Sequence, residues 1–399
     1  MRYYELATKT ALLLSLVVVG AAAAAGSIPP SNDILRQVPA AVYVFGDSTL
    51  DVGNNNYLPG KNVPRADMPY YGIDMPGSGK PNGRFSNGDN TADFVAKSMG
   101  LESSPPPYLS LASSSDQLVQ TALAAGVSYA SAGAGILDST NEGNNIPLSR
   151  QVKYFRATWS KMVASNGSEA VSALLSRSVI LIGIGGNDIS AFENAEQARN
   201  RSAAERHDDD VAVFYGSLIS VYSATITELY RMGARKFAII NVGLAGCLPV
   251  ARVLSAAGAC SDSRNKLAAG FNDALRSLLA GARLPGLVYS LADSYGIMAA
   301  IFADPPASGF ADVSGACCGS GRLGVGGCLP TSSVCANRDQ HYFWDGIHPS
   351  QRAALIRAQA FYDGPTQYTY TTPINFKELV WSTHVVVATG NTNQTVPWK

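Results

Sequence analysis

Ala40-Ala-Val-Tyr-Val-Phe-Gly-Asp-Ser48 is an apolar run that stops abruptly at a Gly-Asp-Ser turn. A short, continuous apolar segment halted by turn residues reads as a strand buried on both faces. The pattern recurs. Ser178 to Ile184 stops at Gly185-Gly-Asn-Asp188, Lys236 to Asn241 stops at Val242-Gly243, and Leu287 to Ser290 runs into Leu291-Ala-Asp293. Helix-like stretches lie between and after these strands, at Thr91 to Met99, Leu148 to Leu175, Asp210 to Met232, Ser263 to Ala282 and Ser350 to Tyr362. Alternating strands and long helices predict βαβ units, hence an α/β protein with a mostly parallel sheet covered on both faces. In such sheets, sites form where the loops leave the C-terminal strand ends. Ser113–Ser115 and Gly319–Gly327 read as loops, and no internal repeat is present.

The 399 residues are 46% hydrophobic and 15% charged, which is material for a large core and too little charge for disorder. Thirty basic residues balance thirty acidic ones, so the net charge gives no footprint for nucleic acid or an anionic membrane. A neutral or small-molecule partner fits better. At the N-terminus, Arg2 and Lys9 precede an apolar run from Ala11 to Ala25 that ends in small residues, the layout of a secretory signal peptide over residues 1–25. That run is too short to span a bilayer, and no later segment is apolar for long enough, so no transmembrane segment is expected in the mature protein. One domain is expected over 36–384, with a loosely held tail over 385–399.

Export predicts disulfides for the six cysteines. Cys247 and Cys260 flank a short loop and are expected to pair; Cys317 and Cys318 are adjacent, and each is expected to reach Cys328 or Cys335, with the crossing left open. A zinc site is the rival, but the C-C-x9-C-x6-C spacing lacks the paired C-x2-C of common structural sites. Asn166, Asn200 and Asn393 each begin an Asn-x-Ser/Thr acceptor for glycosylation.

Directly after its strand, Ser48 would stand at the sheet edge with its hydroxyl open to a cleft and its N–H available to an oxyanion. A turn and helix N-cap would use the same residues. A serine nucleophile needs a base, and four histidines are present. His207 lies in a charged stretch, His341 has only Asp339 close by, and His384 has no neighbouring carboxylate. His348 follows Asp345 by three residues in Trp344-Asp-Gly-Ile-His-Pro349, where Asp345 could hold imidazole Nδ1–H and leave Nε2 toward Ser48. No Gly-x-Ser-x-Gly elbow occurs, which counts against the α/β-hydrolase fold. Two polar turns offer oxyanion donors: Gly83-Arg-Phe-Ser-Asn-Gly88, through the Gly88 N–H, and Gly185-Gly-Asn-Asp188, through the Asn187 amide.

Phe45-Gly-Asp-Ser-Thr-Leu-Asp-Val-Gly-Asn-Asn-Asn56, Gly83 to Gly88, Gly183 to Asp188 and Phe343 to Pro349 occur in the order of the four signature blocks that this chain shares with plant GDSL esterase/lipases of the SGNH hydrolase superfamily. The resemblance runs from about Ala40 to His384 and includes Tyr129 to Ile136, Ile146 to Ser149 and Ala316 to Gly319. It implies a flavodoxin-like three-layer α/β/α sandwich and an ester hydrolase that needs neither cofactor nor metal. Its carried-over site is Ser48 as nucleophile and oxyanion donor, Gly88 and Asn187 as further donors, His348 as base and Asp345 as its orienting acid. The implied partners are small-molecule or lipid acyl esters, with acylated cell-wall material in the apoplast among them. Thr49 stands where the fourth letter of GDSL would be, and only a change in local packing is expected there. An acyltransferase passing the acyl group to an alcohol, or a silent binding protein on the same scaffold, are the rival classes.

Overall fold

The structure, a computed structural model, describes residues 39–199, 208–364 and 369–382. The central sheet holds β1 (Val42–Gly46), β2 (Val179–Gly183), β3 (Lys236–Ile240) and β4 (Val288–Ala292), all parallel and paired in that order. Beyond the sheet come two short ladders, formed by β5 (Asp312–Ala316) with β8 (His341–Phe343) and by β6 (Cys318–Gly319) with β7 (Ser333–Val334). A last strand, β9 (Thr371–Thr372), lies antiparallel against β4.

A further extended segment completes the sheet on its other edge. Val44 N–H donates to Val127 O at 3.1 Å, Tyr129 N–H to Val44 O at 2.7 Å and Ser131 N–H to Gly46 O at 3.0 Å, so residues 127–131 run parallel beside β1. This segment is second in sequence but outermost in space. The chain therefore reverses its winding direction between β1 and β2, and a doubly wound sheet opens its ligand crevice at such a switch point.

The strands are near-continuous apolar runs because both of their faces are covered. Tyr43, Phe45, Ile180, Ile182, Phe237 and Ile239 face a layer made by α3 (Ser115–Ala124), α4 (Leu148–Asn166), α5 (Ser168–Arg177), α6 (Gly186–Ala198), α7 (Asp208–Arg231) and α9 (Asp262–Gly281). Val42, Val44, Val179, Leu181, Ala238 and Ile240 face α1 (Thr91–Ser98), α10 (Ser294–Ala303), α11 (Gln351–Asp363) and α12 (Phe376–Trp381). The short α2 (Tyr108–Leu111) and α8 (Pro249–Arg252) sit in connections. Two helical layers around a sheet make the expected three-layer sandwich.

Some expected elements differ. Leu148 to Leu175 is two helices, because Gly167 adopts φ 83° and ψ 152° and ends α4 with its own N–H on Val163 O. Ser113–Ser115 is a helix start: Ser114 accepts from Gln117 N–H and caps α3. Gly185–Asp188 is less a turn than the start of α6, and β4 continues to Ala292 instead of stopping at Ser290. Among the described residues, no helix is long and apolar enough to cross a membrane. The residues read as a signal peptide and as a C-terminal tail lie outside the described ones.

Candidate active site

Ser48 leaves β1 at the switch point. Gly46 is required just before it, since a Cβ there would lie 2.4 Å from Gly183 O on β2. Both backbone groups of Gly46 are held by the buried Gln151 of α4, whose Oε1 accepts from Gly46 N–H at 2.9 Å and whose Nε2 donates to Gly46 O at 2.8 Å. The strand end is thus pinned two residues before the serine. Thr49 does more than fill space: its hydroxyl and its N–H both donate to Asp47 Oδ1, at 2.8 and 2.9 Å. Burial pushes the Asp47 carboxyl up; the Thr49 bonds and the charges of His348 and Arg357 oppose that rise without cancelling it.

The Asp-x-x-His spacing works as a self-bonded turn after β8. Asp345 Oδ1 accepts the N–H groups of Ile347 and His348, both at 2.8 Å, while Trp344 N–H closes the loop on His348 O at 2.8 Å. His348 Nδ1 then lies 2.8 Å from each Asp345 oxygen, and Nε2 lies 2.7 Å from Ser48 Oγ. With Nδ1–H given to Asp345, Nε2 is the acceptor for the serine proton. Burial alone would raise the Asp345 carboxyl, but the charge and hydrogen bond of His348 and the two N–H bonds more than offset it and hold it below the usual range. All three side chains are buried. The relay can move a proton from serine to imidazole in a site largely screened from water.

Two residues support this relay from outside the turn. Tyr71 hydroxyl donates to Asp345 Oδ2 at 2.8 Å. Burial and the Asp345 charge both push the phenol far above its ordinary range, so it stays a donor. Phe85 lays its ring against His348 with centroids 4.8 Å apart, and Tyr71 packs edge-on against Phe85. Tyr71 was invisible to spacing arguments, for it lies 274 positions from Asp345 in a loop without a motif. Phe85 sat inside a recognised block, but its contact partner depends on the tertiary fold.

The Gly83–Gly88 turn does not bring Gly88 to the serine. Gly88 N–H points to Ser86 Oγ at 3.3 Å, and a Cβ on Gly88 would strike Gln351 Oε1 at 2.0 Å. Gly88 therefore packs on the start of α11, where Asn87 Oδ1 also accepts Gln351 N–H at 2.8 Å. It is absent from the lining of the cavity that holds Ser48 and His348, a space of about 740 Å³. Asn187 does line that cavity, in the first turn of α6, with Nδ2 donating to Ala134 O at 2.9 Å. Gly133 lines it too. The loop carrying Gly133 is anchored by Asp188, whose carboxylate accepts Ile136 N–H, Leu137 N–H and the Thr140 hydroxyl at 2.7 to 3.1 Å.

Of the other histidines, His341 lies on β8 with Nδ1 3.1 Å from Asn337 O, while His207 and His384 fall outside the described residues. Disulfides join Cys247 to Cys260, Cys317 to Cys335 and Cys318 to Cys328. Cys317, Cys335 and His341 come close together, but both sulfurs are spent in one disulfide and offer no thiolate for zinc. Asn166 is exposed at the end of α4; Asn200 and Asn393 lie outside the described residues.

Residues 42–361 match the family described as GDSL-like Lipase/Acylhydrolase. The chain is 36% identical over 350 residues to GDSL esterase/lipase At1g71250 of Arabidopsis thaliana, covering 86% of this chain and 89% of that one. To GDSL esterase/lipase LTL1 of the same plant it is 36% identical over 343 residues, covering 84% and 89%. A doubly wound sheet, a Ser–His–Asp relay at its switch point and likeness over most of the length of these relatives lead to one assignment: the chain belongs to the GDSL lipase/acylhydrolase family of carboxylic ester hydrolases.

Proposed function

We propose that the protein is a secreted serine esterase that cleaves acyl esters through an acyl-Ser48 intermediate. Ser48 Oγ attacks the ester carbonyl as His348 Nε2 takes its proton, and Asp345 stabilises the imidazolium. His348 returns the proton to the leaving alcohol; water, activated by the same imidazole, then releases the acid. The observation that carries this reading is the unbroken relay, 2.7 Å from Ser48 Oγ to His348 Nε2 and 2.8 Å from Nδ1 to Asp345.

For the oxyanion, the donors are the Ser48 N–H, the Asn187 amide and the Gly133 N–H, with Gly133 in the place that the sequence offered to Gly88. The cavity supports Gly133: it lines the same space as Ser48, two residues beyond Ser131, whose N–H pairs with Gly46 O at the end of β1. Asn187 uses one amide hydrogen on Ala134 O and keeps a second for the substrate. Asn62, Asn141, Asn144, Asn194, Gln197 and Asn241 border the same cavity, a lining suited to a hydroxylated alcohol part such as acylated cell-wall carbohydrate.

Ser48→Ala in folded protein tests the reading. Turnover of 4-nitrophenyl butyrate is expected to fall by at least about 10³-fold, with covalent labelling by a fluorophosphonate lost as well. Retained turnover with an unchanged fold would remove Ser48 from the mechanism.

A further inference from the structure

The cavity holds two guanidinium groups, and they are not equivalent. Arg264 is neutralised, its Nε lying 2.9 Å from Glu193 Oε2. Arg357, on α11, is only 7% exposed and forms no ion pair among the described residues. Its Nη2 donates to Ser294 Oγ at 2.7 Å, while Nε is buried with no hydrogen-bond partner. Beside it the buried Tyr342 hydroxyl faces the Arg357 guanidinium and brings no charge to balance it, and Tyr342 borders the same cavity. Asp47 feels the Arg357 charge but forms no ion pair with it. Taking a cation out of water without a counter-charge is costly, so buried charges are ordinarily paired or engaged by a ligand.

The geometry points to Arg357 as an anion subsite of the substrate cavity, selecting esters that carry a carboxylate on either side of the scissile bond. A guanidinium fixed on one side by Ser294 offers its remaining N–H groups in the planar fork that a carboxylate accepts. The cavity runs along the C-terminal edge of the sheet, from Ser48 after β1 past Asn187 after β2 to Asn241 after β3 and Ser294 after β4, so one ligand can meet both the serine and Arg357. The inference rests on the esterase reading above and adds a substrate class to it.

The test compares kcat/KM for charged and neutral esters in wild type and Arg357→Met. 4-Nitrophenyl hydrogen glutarate is set against 4-nitrophenyl butyrate, and butyryloxyacetate against ethyl butyrate, so that the carboxylate is tried on the acyl and on the alcohol side. For at least one pair, Arg357→Met is expected to lower the charged-to-neutral ratio by about tenfold or more, with Arg357→Lys losing less. A guanidinium that only offsets the Asp47 charge would depress both members of each pair equally, and unchanged ratios in both pairs overturn the proposal. Should Arg357→Met not fold, wild type alone decides: glutarate is expected to compete with 4-nitrophenyl butyrate at lower concentration than its neutral diamide, and equal inhibition overturns the subsite. Turnover of the neutral esters reports separately on the esterase reading, so the two can fail independently.

Discussion

Asp345 receives hydrogen bonds from Ile347 N–H, His348 N–H, His348 Nδ1–H and the Tyr71 hydroxyl, which fills the acceptor capacity of a carboxylate and fixes its plane. Three of these donors come from its own turn; only Tyr71 ties it to another part of the chain. Under the proposed mechanism Tyr71 is a positioning residue: it holds Asp345 and does not line the cavity that contains Ser48. Tyr71→Phe keeps the packing against Phe85 and deletes one hydrogen bond to a charged group, worth about 1.5–3 kcal/mol. The expected outcome is a kcat lowered by roughly three- to tenfold with KM little changed. A Tyr71→Phe enzyme with full kcat, or with kcat and KM changed together, would reduce Tyr71 to core packing.

The relay was legible in the sequence because its parts are local: a strand that stops at Ser48, and a turn in which Asp345 and His348 sit three apart. The same holds for β1 to β4, whose apolar runs carry their own boundaries. What the sequence hid depends on contacts between elements. The Asp51-Val-Gly-Asn-Asn-Asn56 part of the first block stitches the outer segment onto the sheet. Asp51 Oδ2 accepts Ala132 N–H at 3.0 Å, and Asn54 Nδ2 donates to Ser128 O and Ala130 O, both at 2.9 Å. That segment then presents Gly133, which no spacing rule links to Ser48. The α4–α5 break was missed for another reason: a lone glycine in a helical pattern is tolerated, so periodicity runs through it. The structure makes it a required stop. Gly167 has a backbone conformation that essentially only glycine adopts, although nothing within 4 Å would obstruct a Cβ. Gly167→Ala is thus a test of backbone strain alone and should lower the unfolding free energy by about 1–3 kcal/mol in denaturant melts. A neutral or stabilising result would mean that α4 and α5 can merge into one helix.

Across the whole molecule, the sheet positions Ser48, while His348 and Asp345 hang from the cystine-rich lobe that spans β5 to β8 and packs onto the core shared with the sheet. Cys317 N–H donates to Phe343 O at 3.0 Å and Cys318 N–H to Trp344 O at 2.7 Å, so the backbone that leads into Asp345 is braced by two cysteines whose disulfides close short loops. The two halves of the relay are 300 residues apart in sequence, and their 2.7 Å contact depends on how this lobe docks. Disulfides here should therefore matter to chemistry as well as to stability. The double variant Cys318→Ala with Cys328→Ala is expected to lose about 2–4 kcal/mol, as for other short disulfide loops. It should also lose kcat several-fold at a temperature where the protein remains folded, because the Asp345–His348 turn gains freedom relative to Ser48. Gly167→Ala supplies the control, since it weakens the fold in the helical layer far from this lobe. If both variants lose stability and only the cysteine pair loses kcat, the lobe positions the relay; if kcat holds in both, the turn is rigid without its disulfide brace.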